Sequence, residues 1–238
     1  MKDYSKILSL MRFQDSYLIS PRGMLFENEL KWVFQKTGSK PEEALFISYA
    51  YLGNDYPAYF SQVSDIFKKQ GVKLTDITSG NPEELIANAR FIVIGGGDIG
   101  TFYKKMDSLI TPAFNPYLAI LDSVQHGVPY MGWNEGSGVI SPKYFMPPAN
   151  ALLAGINGSP FEIICNYPDS PQSDAAILNF LLTNTTIPEV AGQPQTSGSG
   201  NEGSVRLEET GGGIILTPTV PFPFVIRYKV VNGVLIKN

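Results

Sequence analysis

The stretch around which the chain is organised is Pro129-Tyr130-Met131-Gly132-Trp133-Asn134-Glu135-Gly136-Ser137-Gly138. An apolar strand is predicted to end at Gly132, and a cramped turn follows before a segment of small residues. The spacing is that of a nucleophile elbow, Gly-x-Nuc-x-Gly, in which two glycines allow a sharp turn from strand to helix. The central position holds Asn134 rather than serine or cysteine, and its amide cannot act as a nucleophile in acyl transfer. The sequence therefore asks whether this elbow still belongs to an enzyme.

Strand and helix patterns alternate regularly on the N-terminal side of the elbow. A first strand is predicted at 17–20 and a helix at 24–36. The near-continuous apolar runs at 44–49 and 91–94 are typical of buried parallel strands. Apolar residues recur at helical spacing in the segments between the strands, for example over 59–69. These patterns predict an α/β fold with a doubly wound, mostly parallel sheet.

The pattern becomes β-rich after the elbow. Strands are predicted within 213–237, where Asn232-Gly233 between two alternating segments is a strong hairpin signal. Residues 192–204 are rich in Gly, Ser and Gln and predict a flexible loop. Residues 1–15 carry weak signals and are predicted to be an extension. With no internal repeat and no clear second domain, residues 1–238 are expected to form a single domain.

Composition and charge exclude several classes of function. The net charge is −4 and no cluster of Lys or Arg is longer than a pair, so nucleic-acid binding is not predicted. One cysteine excludes an internal disulfide framework. No apolar run approaches the ~20 residues of a spanning helix, and no signal peptide is recognised, so a cytoplasmic protein without a membrane partner is expected. No His, Cys or carboxylate cluster has metal-ligand spacing, and neither a metal nor a cofactor is expected.

A glycine-rich loop, Gly95-Gly96-Gly97-Asp98-Ile99-Gly100, follows the predicted strand at 91–94 and precedes a predicted helix. It fits the G-x-G-x-x-G pattern of a dinucleotide-binding loop, although Asp98 would repel a pyrophosphate at the helix N-terminus. A second interpretation is that the N–H groups of Gly96 and Gly97 face the elbow and form half of an oxyanion hole. A third is a tight turn that binds nothing.

These segments resemble the dipeptidase E family of serine peptidases, to which cyanophycinase is related. The resemblance is carried by Gly95-Gly96-Gly97, by Thr101-Phe102, and by Gly127-Val128-Pro129-Tyr130-Met131-Gly132-Trp133. In dipeptidase E the corresponding segments read Gly-Gly-Gly-Asn-Thr-Phe and Tyr-Ile-Gly-Trp-Ser-Ala-Gly-Ala. The similarity extends roughly over residues 17–195. It implies a flavodoxin-like sheet similar to class I glutamine amidotransferases, and hydrolysis of dipeptides with N-terminal aspartate by a Ser-His-Glu triad.

The triad that the resemblance implies is degenerate in this chain. Asn134 occupies the nucleophile position, Tyr167 falls near the histidine position, and Gln195 falls near the acid position. The asparagine of the family's glycine loop becomes Asp98, and Phe145 replaces an aspartate before Met-Pro. A serine hydroxyl needs a base within hydrogen-bond reach to attack a carbonyl, and Asn134 with Tyr167 cannot supply that pair at neutral pH.

The chemistry could instead have moved to another residue. Ser137 lies three residues beyond the centre of the elbow, and Cys165 lies beside the lost histidine position. Glu135, the residue next to the elbow centre, belongs with Asp98 to the predicted pocket. The bland interpretation of Ser137 is a hydroxyl at a helix start, and that of Cys165 is a small buried hydrophobe. The only histidine, His126, is predicted to cap a helix C-terminus. The sequence thus leaves open a non-catalytic binding or regulatory protein with a small peptide or amino-acid-like ligand, a hydrolase using Ser137 or Cys165, and a nucleotide-binding module.

Overall fold

The computed structural model describes residues 7–10, 30–32, 34–35, 42–147, 151–168, 170–195, 204–210, 213–218 and 226–238. The strands in these residues are β1 Ile7–Leu10, β2 Glu43–Ile47, β3 Lys73–Asp76, β4 Ile92–Ile94, β5 Tyr130–Trp133, β6 Lys143–Met146, β7 Ala151–Ala154, β8 Glu162–Pro168, β9 Val190–Gln195, β10 Ser204–Thr210, β11 Gly213–Pro218, β12 Ile226–Val231 and β13 Val234–Lys237. The α-helices are α1 Tyr56–Lys69, α2 Pro82–Ala87, α3 Ile99–Asp107, α4 Pro116–Gln125, α5 Glu135–Val139 and α6 Pro171–Thr183, and a 3₁₀ turn spans Ile77–Ser79. Residues 30–32 and 34–35 are also helical.

The central sheet has the strand order β11-β10-β1-β5-β4-β2-β3 among the described residues. The five strands from β1 to β3 in that order run parallel to their neighbours, while β10 and β11 are antiparallel. Residues 92–94 of β4 are wholly buried, as expected for a strand covered on both faces. The predicted α/β fold with a mostly parallel sheet is confirmed.

Helices cover both faces of this sheet. Alternate residues of one strand point to opposite faces, so each strand contributes side chains to both layers. Leu45 and Ile47 of β2 belong to a buried cluster with Phe102 of α3. Phe46, between them, packs in a second cluster with Val63 of α1. The chain therefore leaves β2 toward one face and β4 toward the other, which makes their adjacent carboxyl ends a topological switch point. Ligands of doubly wound sheets bind at such points.

The assignment of residues 1–15 to an extension is wrong for residues 7–10, which form β1. This strand lies between β5 and β10 and pairs with both, for example Leu8 with Met131 and with Arg206. A run of four residues gives little local signal, and its place in the sheet depends on partners far away in the sequence. The strand predicted at 17–20, and most of the helix predicted at 24–36, lie outside the described residues.

The loop predicted at 192–204 is likewise corrected at both ends. Residues 192–195 continue β9, which pairs in parallel with β8, and Ser204 begins β10. Residues 196–203 lie outside the described residues. The Gly- and Gln-rich composition predicts a loop from its side chains, but the backbone hydrogen bonds of a neighbouring strand override that preference.

A second sheet, with the order β13-β12-β9-β8, and the β6-β7 hairpin complete the strands of the described residues. The hairpin predicted at Asn232-Gly233 is confirmed: β12 and β13 pair antiparallel, and the two turn residues have φ of 52° and 79°. Both values lie in the left-handed region that a type I′ turn requires. None of the described helices is long and apolar enough to cross a membrane.

Glu162 of β8 is a fully buried carboxyl, and we expect it to make the stability of the fold depend on pH. The N–H of Lys143 donates to its Oε2 at 3.3 Å, while Oε1 has no hydrogen-bond partner in the described structure. Burial raises the pKa of Glu162 well above its ordinary value. The folded-state pKa of Glu162 therefore lies above the unfolded value near 4.5. The free energy of unfolding is unaffected by this group below the unfolded value, and it falls as the pH rises from there toward the folded-state pKa.

We expect Glu162→Gln to flatten the decline in the free energy of unfolding between pH 5 and 8, as measured by urea unfolding. Glu43→Gln is the control of opposite sign, because hydrogen bonds from Thr75 and Lys73 lower the pKa of Glu43. That variant should lose stability at neutral pH. Wild-type and Glu162→Gln curves that run parallel over this range would contradict the prediction.

Candidate functional site

The elbow is built as its glycine spacing predicts. Strand β5 ends at Trp133, Asn134 follows with φ 49° and ψ −118°, and α5 begins at Glu135. A positive φ is uncommon for a residue with a side chain and marks local strain. A Cβ on Gly132 would lie 2.3 Å from the Gly136 carbonyl oxygen, so only glycine fits there. The turn therefore keeps the geometry of a nucleophile elbow although its central residue is asparagine.

Hydrogen bonds inside the fold fix this turn. The Ser137 hydroxyl donates to the Gly132 carbonyl oxygen at 2.9 Å, and the Tyr130 hydroxyl donates to the Gly136 carbonyl oxygen. Ser137 has no exposed surface. Its position is that of a structural hydroxyl within the turn, whereas a nucleophile must meet its substrate.

The glycine loop meets the elbow at the switch point of the sheet. The N–H of Asp98 donates to the Ala50 carbonyl oxygen at 2.7 Å, which joins the segments that follow β4 and β2. Gly97 has φ 147°, and a Cβ there would lie 2.0 Å from the same oxygen. A Cβ on Gly96 would lie 2.7 Å from the Asn134 Cβ. The loop is thus pressed against the centre of the elbow, as the oxyanion interpretation requires.

The N–H of Gly97 already has an acceptor. It donates to Glu135 Oε2 at 2.7 Å. Burial raises the pKa of Glu135, hydrogen bonds from the N–H groups of Gly97 and of Glu135 itself lower it, and the charge of Asp98 raises it again, with a net upward shift. A carboxylate of the protein therefore lies at the N–H of Gly97, one of the two groups that were predicted to hold an oxyanion.

Asp98 is bound to the helix that follows it. Its Oδ1 accepts from the N–H of Thr101 at 2.6 Å and caps α3. Hydrogen bonds from the hydroxyl and N–H of Thr101 lower the pKa of Asp98, so this residue is ionised at neutral pH. With Asp98 on the first turn of α3 and Glu135 on the N–H of Gly97, two carboxylates occupy the end at which a dinucleotide would place its phosphates. This arrangement argues against the nucleotide-binding interpretation of Gly95–Gly100.

An open cleft of about 320 Å³ lies beside the elbow. The residues that line it are Gly97, Asp98, Ile99, Glu135, Tyr144, Phe145, Met146, Pro147, Ile163 and Tyr167. The cleft thus brings together the glycine loop, Glu135 of the elbow, and Tyr167, the residue predicted near the family's histidine position. Tyr144 and Ile163 are lining residues that no local sequence pattern predicts, because their position depends on how β6 and β8 pack together.

Tyr167 and Gln195 lie on neighbouring strands. Tyr167 is buried, and its hydroxyl forms a 2.6 Å hydrogen bond with the hydroxyl of Tyr228. The backbone of Gln195 pairs with Pro168, the residue after Tyr167. The backbone positions assigned to the histidine and the acid are therefore adjacent. The side chains of Gln195 and Cys165 lie outside the described part of the structure, although both residues have backbone positions in the second sheet.

His126 ends α4, as predicted. Its Nδ1 lies 2.8 Å from the Asp122 carbonyl oxygen, and the residues lining the cleft do not include it. Among the described residues, no group of three or more His, Cys, Asp or Glu could hold a metal ion.

The fold and the elbow define a class: a flavodoxin-like α/β protein with a nucleophile-elbow turn beside a glycine loop at the switch point of its sheet. Residues 22–152 match peptidase family S51. The chain is 30% identical over 184 residues to a peptidase E of Nostoc sp., covering 71% of this chain and 74% of that protein. It is 28% identical over 181 residues to a peptidase E of Shewanella denitrificans, covering 68% and 73% respectively. This chain belongs to peptidase family S51.

A solved structure assigned as a peptidase E protein from Listeria monocytogenes EGD-e has the same fold. It superposes with a TM-score of 0.52 and 12% identity, covering 90% of this chain and 98% of that one. The likeness supports the flavodoxin-like sheet that the family resemblance implied.

Proposed function

We propose that this chain is a peptidase E-like protein that keeps the elbow and its cleft as a binding site but does not carry out the peptidase reaction. The observation that carries the proposal is the strained backbone of Asn134, with φ 49°, at the position of the nucleophile. The turn that would present a nucleophile is retained, while the side chain presented is an amide. An amide has no ionisable proton whose removal would create a nucleophile.

Tyr167, which also lines the cleft, supports the same conclusion. By resemblance to dipeptidase E, the family's catalytic histidine is expected near this residue. The phenol of Tyr167 is buried and hydrogen-bonded to the hydroxyl of Tyr228. A protonated phenol at neutral pH is a poor substitute for the imidazole that accepts the proton of a serine.

The proposed ligand is a small peptide or an amino-acid-like molecule, bound in the cleft of about 320 Å³. The protein would then act as a binding or regulatory relative of the peptidases. A cytoplasmic location is part of the proposal, and the single cysteine is compatible with a reducing compartment. The competing function is a hydrolase that uses Ser137 or Cys165, although the burial of Ser137 disfavours the first of these.

Steady-state assays of the purified protein test the proposal. With aspartyl dipeptides and aspartyl chromogenic amides, we expect no turnover above the uncatalysed rate. Ser137→Ala and Cys165→Ala are assayed in parallel. Turnover by the wild type that either substitution abolishes would show a relocated nucleophile and overturn the proposal.

A further inference from the structure

The Glu135 carboxylate lies where a nucleophile elbow would otherwise hold an incoming anion. In such elbows the oxyanion is held by the N–H of the residue after the nucleophile and by an N–H of a neighbouring loop. Here the first group is the N–H of Glu135 and the second is the N–H of Gly97. The N–H of Gly97 donates to Glu135 Oε2 at 2.7 Å, and interaction with the N–H of Glu135 itself lowers the pKa of the same carboxyl. The protein therefore occupies the loop donor of this anion-binding position with its own side chain.

We propose that Glu135 is the built-in occupant of this anion-binding position, and that it restricts the cleft to ligands that are neutral or positively charged at that end. This inference rests on the proposed binding function and narrows its ligand class. It predicts that carboxylate groups, such as the side chain of an N-terminal aspartate, are rejected at the elbow.

Close packing holds the carboxylate in place. A Cβ on Gly96 would lie 3.1 Å from Glu135 Oε2 and 2.9 Å from Asn134 Nδ2. The glycine loop therefore rests directly on the side chains of both elbow residues. Because the backbone of Asn134 sets the direction in which the chain enters α5, the start of the Glu135 side chain is fixed as well.

The remaining charge in the cleft has the same sign. Asp98 is the other ionisable acid in the lining, and the described lining residues include no lysine or arginine. An anionic ligand would have to displace Glu135 from the Gly97 N–H and then face two carboxylates. A neutral or cationic group meets neither obstacle, and the lining also includes the aromatic residue Tyr144.

The amide of Gly97 gives the direct test in the whole protein by nuclear magnetic resonance. In the wild type we expect its chemical shift to follow the titration of one carboxyl group with an elevated pKa, and its hydrogen exchange to be slow. In Glu135→Ala the titration should disappear and exchange should be at least about tenfold faster, since the hydrogen bond to a charged acceptor is lost. Asp98→Asn is the matched control, because it removes the other charge of the cleft, keeps an Asx cap on α3 and should leave the Gly97 hydrogen bond intact. A Gly97 amide that behaves identically in wild type and Glu135→Ala overturns the inference.

Binding of succinate, measured by calorimetry, tests the ligand class. We expect succinate to bind Glu135→Ala at least about tenfold more tightly than wild type. Equal binding by the two proteins would overturn the restriction on charge. Glu135→Gln, which keeps the side-chain volume, is measured alongside and should give the same direction of change. A different result would contradict the proposed function itself, namely turnover of aspartyl dipeptides by the wild type. The two proposals can therefore fail independently.

Discussion

The variant Asn134→Ser/Tyr167→His/Gln195→Glu is expected to hydrolyse aspartyl dipeptides only weakly, and far faster when Glu135→Ala is added. The three changes restore the triad that the family resemblance implies. With Glu135 in place, its carboxylate accepts the Gly97 hydrogen bond and denies it to the oxyanion of the reaction. Removing an oxyanion-hole donor typically costs about 10²–10³ in kcat. We therefore expect the fourfold variant to exceed the threefold variant by about 10² in kcat with an Asp-Leu substrate.

Two further variants make this comparison specific. Glu135→Ala alone should remain inactive, because it supplies neither nucleophile nor base. Asp98→Asn added to the threefold variant should not reproduce the gain from Glu135→Ala, because the N–H of Gly97 would still be bonded to Glu135. A threefold variant as active as the fourfold variant would contradict the block of the oxyanion position.

Gly136→Ala is expected to lower the free energy of unfolding by about 3 kcal/mol. A Cβ at Gly136 would lie 2.1 Å from the Ile94 carbonyl oxygen, 2.8 Å from the carbonyl carbon and 3.2 Å from the Gly95 carbonyl oxygen. All three are backbone atoms, and Ile94 belongs to the buried strand β4, so neither side can give way cheaply. Urea unfolding followed by circular dichroism measures the loss.

Gly100→Ala, in the first turn of the neighbouring helix α3, is the control variant. Gly100 lies in α3, and a Cβ there would meet only Asp98 Oδ1 at 3.4 Å, an ordinary contact. Because alanine is the better helix former, this variant should be between neutral and about 1 kcal/mol more stable. If Gly136→Ala proved as harmless as Gly100→Ala, the close approach of α5 to β4 would be wrong.

Much of the fold could be predicted because its signals are local. The buried strands at 44–49 and 91–94 and the hairpin at Asn232-Gly233 depend on residues close together in the sequence. Strand β1 could not be recognised, since four residues carry little pattern and its partners are distant. The same reason applies to β9, where pairing with β8 outweighs a loop-like composition.

The candidate site divides in the same way. The glycine spacing predicts the elbow at Asn134. The glycine loop is predicted at the end of a different apolar strand, at 91–94. The hydrogen bond from Gly97 to Glu135 depends on the angle at which two loops meet, which no local pattern encodes. The pairing of the Tyr167 and Tyr228 hydroxyls joins residues 61 positions apart and was not predicted. Sequence thus locates the turn, whereas the state of its donors is a property of the assembled sheet.

The position of β1 also has a consequence for the order in which the protein can fold during synthesis. This strand is synthesised before both of its partners, residues 130–133 and 204–206. The segment must wait, unpaired, until most of the chain has been made. Pairings between such distant segments form slowly, because the entropy cost of closing a long loop precedes the stabilising contacts. The elbow strand β5 lies against β1, so the cleft beside the elbow is expected to be completed late, when residues 7–10 are finally enclosed.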